Sequence, residues 1–122
     1  MFNGNGGNAI IIVADVEASV KFYTEVLGLT LGRRLDDRHV MIEAGKGFSI
    51  MIHGPSPQFL VPGTRGAMAL SLVSDEPFDT TVARLEAHGI EFMRKNPAGT
   101  VGFAHFRDPD GIHIVFSAPV RR

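Results

Sequence analysis

The sequence contains no cysteine and no tryptophan, and only one tyrosine. Without cysteine there are no disulfides, no thiolate metal ligands and no cysteine nucleophile, and nothing signals an oxidising compartment. Neither sign of charge is in excess. Twelve Lys and Arg against thirteen Asp and Glu leave a net charge of −1, so no basic field draws in a phosphate backbone, and nucleic acid is not an expected partner. Long apolar runs are also missing. The longest, Ala9 to Ala14, is far too short to cross a bilayer, and no signal-peptide pattern precedes it. No membrane partner is expected, and the expected address is the cytoplasm.

The 122 residues, 44% hydrophobic and 20% charged, suit one folded domain spanning the chain. With tryptophan absent, nine Phe and five Met supply the large apolar contacts, which fits an adaptable pocket and a plain core equally.

Residues 1–7 carry three glycines and no periodicity, and read as a loose start. Ala9 to Val13 is a β-branched run of strand length. Asp15 is a good helix N-cap, and Val16, Val20, Tyr23 and Leu27 form a helical stripe widened by Phe22 and Val26, ended by Gly28. Strands are expected over Thr30 to Asp36, Arg38 to Ala44 and Phe48 to His53, with turns at Asp36-Asp37 and Gly45-Lys46-Gly47.

After a linker the order repeats. A strand over Ala67 to Val73 leads to a helix over Phe78 to His88 with apolar Phe78, Val82 and Leu85, and then to Gly89. Ile90 to Arg94 precedes a loop at Asn96-Pro97-Ala98-Gly99, and Val101 to Arg107 and Ile112 to Ser117 form a hairpin across Asp108-Pro109-Asp110-Gly111. Asn8 and Met68 lie 60 residues apart, Gly28 and Gly89 61, Met51 and Val115 64. This near-constant spacing implies an internal duplication. The expected class is α+β: two tandem βαβββ modules (about 8–54 and 67–118, linker 55–66) forming a curved mixed sheet around a cleft. A generic α+β sandwich is the alternative.

The stretch Val13-Ala14-Asp15-Val16-Glu17-Ala18-Ser19-Val20-Lys21-Phe22-Tyr23-Thr24-Glu25-Val26-Leu27-Gly28-Leu29 resembles the opening of the vicinal oxygen chelate superfamily, which includes glyoxalase I, bleomycin-type resistance proteins and extradiol dioxygenases. Phe106-Arg107-Asp108-Pro109-Asp110-Gly111 is similar to its closing signature, and Val82 to Phe92 to its second module. The resemblance covers about residues 8 to 118. It implies paired modules framing one cleft, often completed by a homodimer. It also implies a divalent metal held by His on the first strand and Glu on the last strand of each module. Carried over, these positions are Asn8, Met51, Met68 and Val115. An amide, two thioethers and an isopropyl group do not hold such a dication, so no metal and no other cofactor is expected.

Other chemistry rests on histidine. His88 sits at a helix C-terminus, where a cation is favoured, and His39 reads as a solvated residue beside a turn. Strand alternation puts His53 and His113 on the same face as Met51 and Val115, two residues away. There an imidazole either acts as acid, base or ligand contact, or sits idle at the rim. His105 has no firm face, and a relocated metal site of His53, His105 and His113 stays open. Arg107 and Asp108 read as hairpin braces, and Arg33, Arg34 and Arg38 with Asp36 and Asp37 as a solvated hairpin tip. No phosphate loop or nucleophile elbow is present.

The favoured expectation is a metal-independent protein of the bleomycin-resistance type, sequestering an apolar or aromatic compound in a cleft lined by Asn8, Met51, His53, Met68, His113 and Val115. Alternatives are an enzyme of the same fold using His53 or His113, a metal-dependent glyoxalase-like enzyme with a non-standard site, and an interaction protein without a cleft.

Overall fold

The structure, a computed structural model, describes residues 8–55 and 69–121. They fall into two compact units divided between Thr64 and Arg65.

In the first unit, β1 (Ala9–Ile12) leads into α1 (Val16–Lys21). The Asp15 carboxylate accepts from the Ala18 backbone N–H at 3.1 Å, which supplies the cap. From Phe22 to Val26 the helix widens into a π-helical turn. It stops at Gly28, whose φ of 77° is the left-handed conformation a helix terminus favours in glycine. The three following strands are β2 (Thr30–Asp36), β3 (His39–Gly45) and β4 (Phe48–His53).

They form one mixed sheet in the order β1-β4-β3-β2, with β1 parallel to β4 and the other pairs antiparallel. Ile11, Val40, Ile42, Ile50 and Ile52 are buried on the helix-covered side with Val20 and Tyr23. Two bulges interrupt β2, after Leu31 and after Arg34.

The second unit repeats the topology. Its strands β5 (Leu70–Val73), β6 (Arg94–Asn96), β7 (Val101–Arg107) and β8 (His113–Pro119) are ordered β5-β8-β7-β6, again with one parallel pair at the β5 side. The helix α2 (Phe78–Ala87) buries Phe78, Val82 and Leu85 against Ala104, Phe106, Ile114, Phe116 and Ala118. Gly102 lets the helix come close. A Cβ there would stand 2.5 Å from the Phe78 ring.

The repeat of a strand-helix-three-strand unit is therefore real, and each copy makes its own four-stranded sheet. Boundaries move most at β6 and β8. The extended segment expected over Ile90 to Arg94 begins to pair only at Met93, whose N–H donates to the His105 carbonyl at 2.8 Å, and β6 itself starts at Arg94. Ile90 N–H is held by the carbonyl of Leu85, and the Phe92 ring turns inward onto Phe106 and Phe116. The last strand runs to Pro119, two residues past the expected end. The first strand of the second module is described only from Leu70, so Ala67 and Met68 lie outside the described residues.

Candidate functional site on the uncovered sheet faces

Each sheet has one face packed on its own helix and one that the helix does not cover. Alternation along the strands decides which side chains stand on the second face. In the first unit, register aligns Arg33, Met41, Met51 and Ile10 in one row across the four strands. Arg34, next to Arg33, turns the other way and meets Glu17 of α1 at 2.8 Å. The neighbouring row is Asp36, His39, His53 and Ile12. Asn8 is exposed just before β1.

The second unit follows the same plan. Arg94, His105, Val115 and Ser71 form one row, and Asn96, Phe103, Ser117 and Val73 the next. Lys95 turns to the helix side and meets Glu86 of α2 at 3.3 Å. The edge strands β2 and β6 thus each carry a basic pair. One member is tied to the helix, and the other lies on the uncovered face. Among the described residues, neither Arg33 nor Arg94 makes an ion pair.

The positions where the resemblance implies a metal are unsuited to one. Met51 stands between the side chains of Ile10 and Met41, with Arg33 ending the row. Val115 stands between Ser71 and His105, with Arg94 ending the row. A thioether among aliphatic groups and an isopropyl group give a dication nothing to displace its water, and a guanidinium at the row's end opposes its charge. Among the described residues no three His, Cys, Asp or Glu side chains gather to hold a metal.

The histidines instead form two pairs. In the first unit, His53 is buried, with 9% of its surface exposed. Its Nδ1–H donates to the Gly54 carbonyl at 2.6 Å, and its Nε2 faces the Nε2 of His39 at 3.0 Å. The His39 Nδ1 lies 2.7 Å from an Asp36 carboxylate oxygen. This corrects the reading of His39 as a solvated turn residue, because the β3–β4 register places it directly opposite His53. The bond from His39, joined by the Arg38 backbone N–H, holds the Asp36 carboxyl below its usual value.

In the second unit, His105 is on the uncovered face, and its Nδ1 lies 2.9 Å from the Nε2 of His113. Neither partnership was expected. The first was legible, since His39 and His53 each stand seven residues from Lys46, the centre of the Gly45-Lys46-Gly47 turn (46 − 39 and 53 − 46).

Arg107 and Asp108 are the hairpin braces expected of them. Arg107 Nη1 donates to the Gly111 carbonyl at 2.9 Å. The buried Asp108 carboxylate accepts from the N–H groups of Asp110 and Ile112 at 2.9 and 2.8 Å.

Two mixed sheets, each a parallel strand pair with a helix between its members and two more strands beyond, define the vicinal oxygen chelate fold. The chain belongs to the Glyoxalase/Bleomycin resistance protein/Dioxygenase superfamily, which it matches over residues 7–116. It is 28% identical over 102 residues to a glutathione transferase, FosA, of Serratia marcescens, covering 83% of this chain and 71% of that protein. Among solved structures it is similar to TnmS3, an antibiotic binding protein from Streptomyces sp. CB03234, with a TM-score of 0.73, 26% identity and 98% of each chain covered. It is also similar to the integron cassette protein VCH_CASS1 from the mobile metagenome of V. cholerae, with a TM-score of 0.74, 25% identity and 97% of each chain covered.

Proposed function

We propose that this chain is a binding protein for an apolar or aromatic small molecule and works without a metal at the positions the family resemblance marks. The observation that carries this reading is the row Met41, Met51 and Ile10, an apolar strip where a ligand set was implied. Val73 and Phe103, 83% and 46% exposed, give the second sheet's uncovered face apolar side chains of its own. Adaptable Met and Phe side chains with a few polar groups nearby suit such ligands. Asn8, Met51, His53, Met68, His113 and Val115 are the proposed lining residues. The similarity to an antibiotic binding protein supports the same reading. The protein acts as a single domain, a homodimer in the cytoplasm.

Thermal-shift screening against aromatic compounds and antibiotics tests it. A ligand at one hundred times its dissociation constant adds about 2.7 kcal/mol of apparent stability. At least one compound is expected to stabilise wild type, and Met51→Lys to abolish the effect. If no compound in a broad panel shifts the transition, the reading fails.

A second reading, an enzyme of the same fold, is favoured by the Asp36–His39–His53 line. A carboxylate behind an imidazole is the arrangement that orients a general base. The similarity to a protein named a glutathione transferase is in keeping with it. If chemistry occurs, His53→Gln or His113→Gln abolishes turnover of a bound compound and leaves binding largely intact.

A further inference from the structure

The uncovered face of the second sheet is sorted by polarity along its strands. At one end Arg94 faces His105 across β6 and β7, and Arg107 faces His113 across β7 and β8. At the other end Phe103 shares a row with Val73, and Val101 stands in the row beyond. All three are exposed apolar side chains. Val115, in the Arg94–His105 row, joins the two ends.

Fixed charge on this face has one sign. None of the described strand positions on it is Asp or Glu. Asp108 lies in the turn beyond the strands, where its carboxylate accepts from backbone N–H groups. Arg107 gives one donor to the Gly111 carbonyl. Arg94 makes no ion pair among the described residues, whereas Lys95, on the helix side, meets Glu86. The first sheet is different, because its Arg33 row lies between a row with Asp36 and a row with Glu43. An arginine on an edge strand also blocks strand addition, but that role leaves the sorting of the face unexplained.

We infer that the compound held on this face is an apolar acid, with an aromatic or aliphatic body and one carboxylate. Arg94, with His105 in its row, takes the carboxylate, since a planar guanidinium matches its two oxygens. The body lies over Val115 toward Phe103 and Val73. Successive rows on one face are two residues apart, about 7 Å along the strands, so a molecule of arylacetate size reaches both. Binding of this kind presupposes the small-molecule function proposed above and names its ligand class.

Isotope-labelled protein is titrated with naphthylacetate and, separately, with its uncharged counterpart naphthylacetamide, and affinities are read from backbone N–H chemical shifts. The acid is expected to bind about 10–100-fold tighter than the amide and to move signals of β7 and β8. Arg94→Gln is expected to remove that preference, weakening the acid and leaving the amide unchanged. Phe103→Ala weakens both compounds alike. Lys95→Gln removes the same charge from the other side of the sheet and leaves both affinities as in wild type. Circular dichroism confirms that each variant is folded. Equal binding of acid and amide overturns the assignment, as does an Arg94→Gln variant that weakens both alike or neither; the small-molecule reading survives each of these. It also survives if neither naphthyl compound binds while another member of the thermal-shift panel does, and the assignment again falls. If no compound binds at all, both fall. Should Phe103→Ala split a dimer in light scattering while neither compound binds, the face is a contact between copies of this chain and the assignment is overturned.

Discussion

Two aspartates show how much a single carboxylate does at opposite ends of the burial range. Asp108 is 5% exposed and accepts from two backbone donors of the hairpin turn, the N–H groups of Asp110 and Ile112. Asp108→Ala leaves those N–H groups to compensate with water in a confined turn, and a loss of about 2–3 kcal/mol is expected from urea unfolding. Asp108→Asn, which retains one acceptor oxygen, loses less. Asp36 is exposed, and its role is electrostatic. Its folded-state value is depressed, first by the bond from His39. A depressed carboxylate stabilises the fold above its ordinary value, about 3.9, and that contribution disappears as the pH falls through the lower folded value. Acid unfolding of Asp36→Asn should therefore be flatter with pH than that of wild type. Superimposable acid limbs would contradict this.

Elements meet their neighbours through a few exacting positions. Gly102 sits in β7 where α2 presses Phe78 onto the strand, and an added methyl would meet the ring at 2.5 Å. Phe78 is itself buried, packed on Phe116 at 5.8 Å, so it has no room to retreat. Gly102→Ala is expected to cost about 1–3 kcal/mol from overpacking, read as a lowered urea midpoint with an unchanged slope. The same change at Gly28 acts through backbone conformation, since its φ of 77° has open space around the missing Cβ; about 1 kcal/mol is expected. By contrast Glu17→Ala, which breaks an exposed pair between α1 and β2, should change stability by less than about 1 kcal/mol.

Across the whole chain, near-neutrality coincides with apolar side chains left in solvent. The net charge is −1 and the isoelectric point about 6.5, while Val73, Phe103 and Ile10 are exposed on sheet faces their own helices do not cover. Charge repulsion that would keep such surfaces apart is weakest near pH 6.5. Light scattering should show the strongest self-association there, with relief in alkaline buffer, and Phe103→Lys should weaken it. Equal scattering at both pH values would argue that these side chains are already covered in solution.

Local chemistry already determined the duplicated strand-helix-three-strand order, the Asp15 cap, the Gly28 stop and the Asp108 hairpin, because each is specified by a few adjacent residues whose backbone preferences agree. That Met51 and Val115 are poor ligands for a dication was equally legible, since side-chain type alone decides it. Cross-strand partners were decided by tertiary structure. Whether His39 meets His53 or water depends on the register of β3 with β4, and the start of β6 depends on Phe92 finding Phe106 and Phe116. Pairing energies act between residues far apart in the chain, so no local pattern carries them.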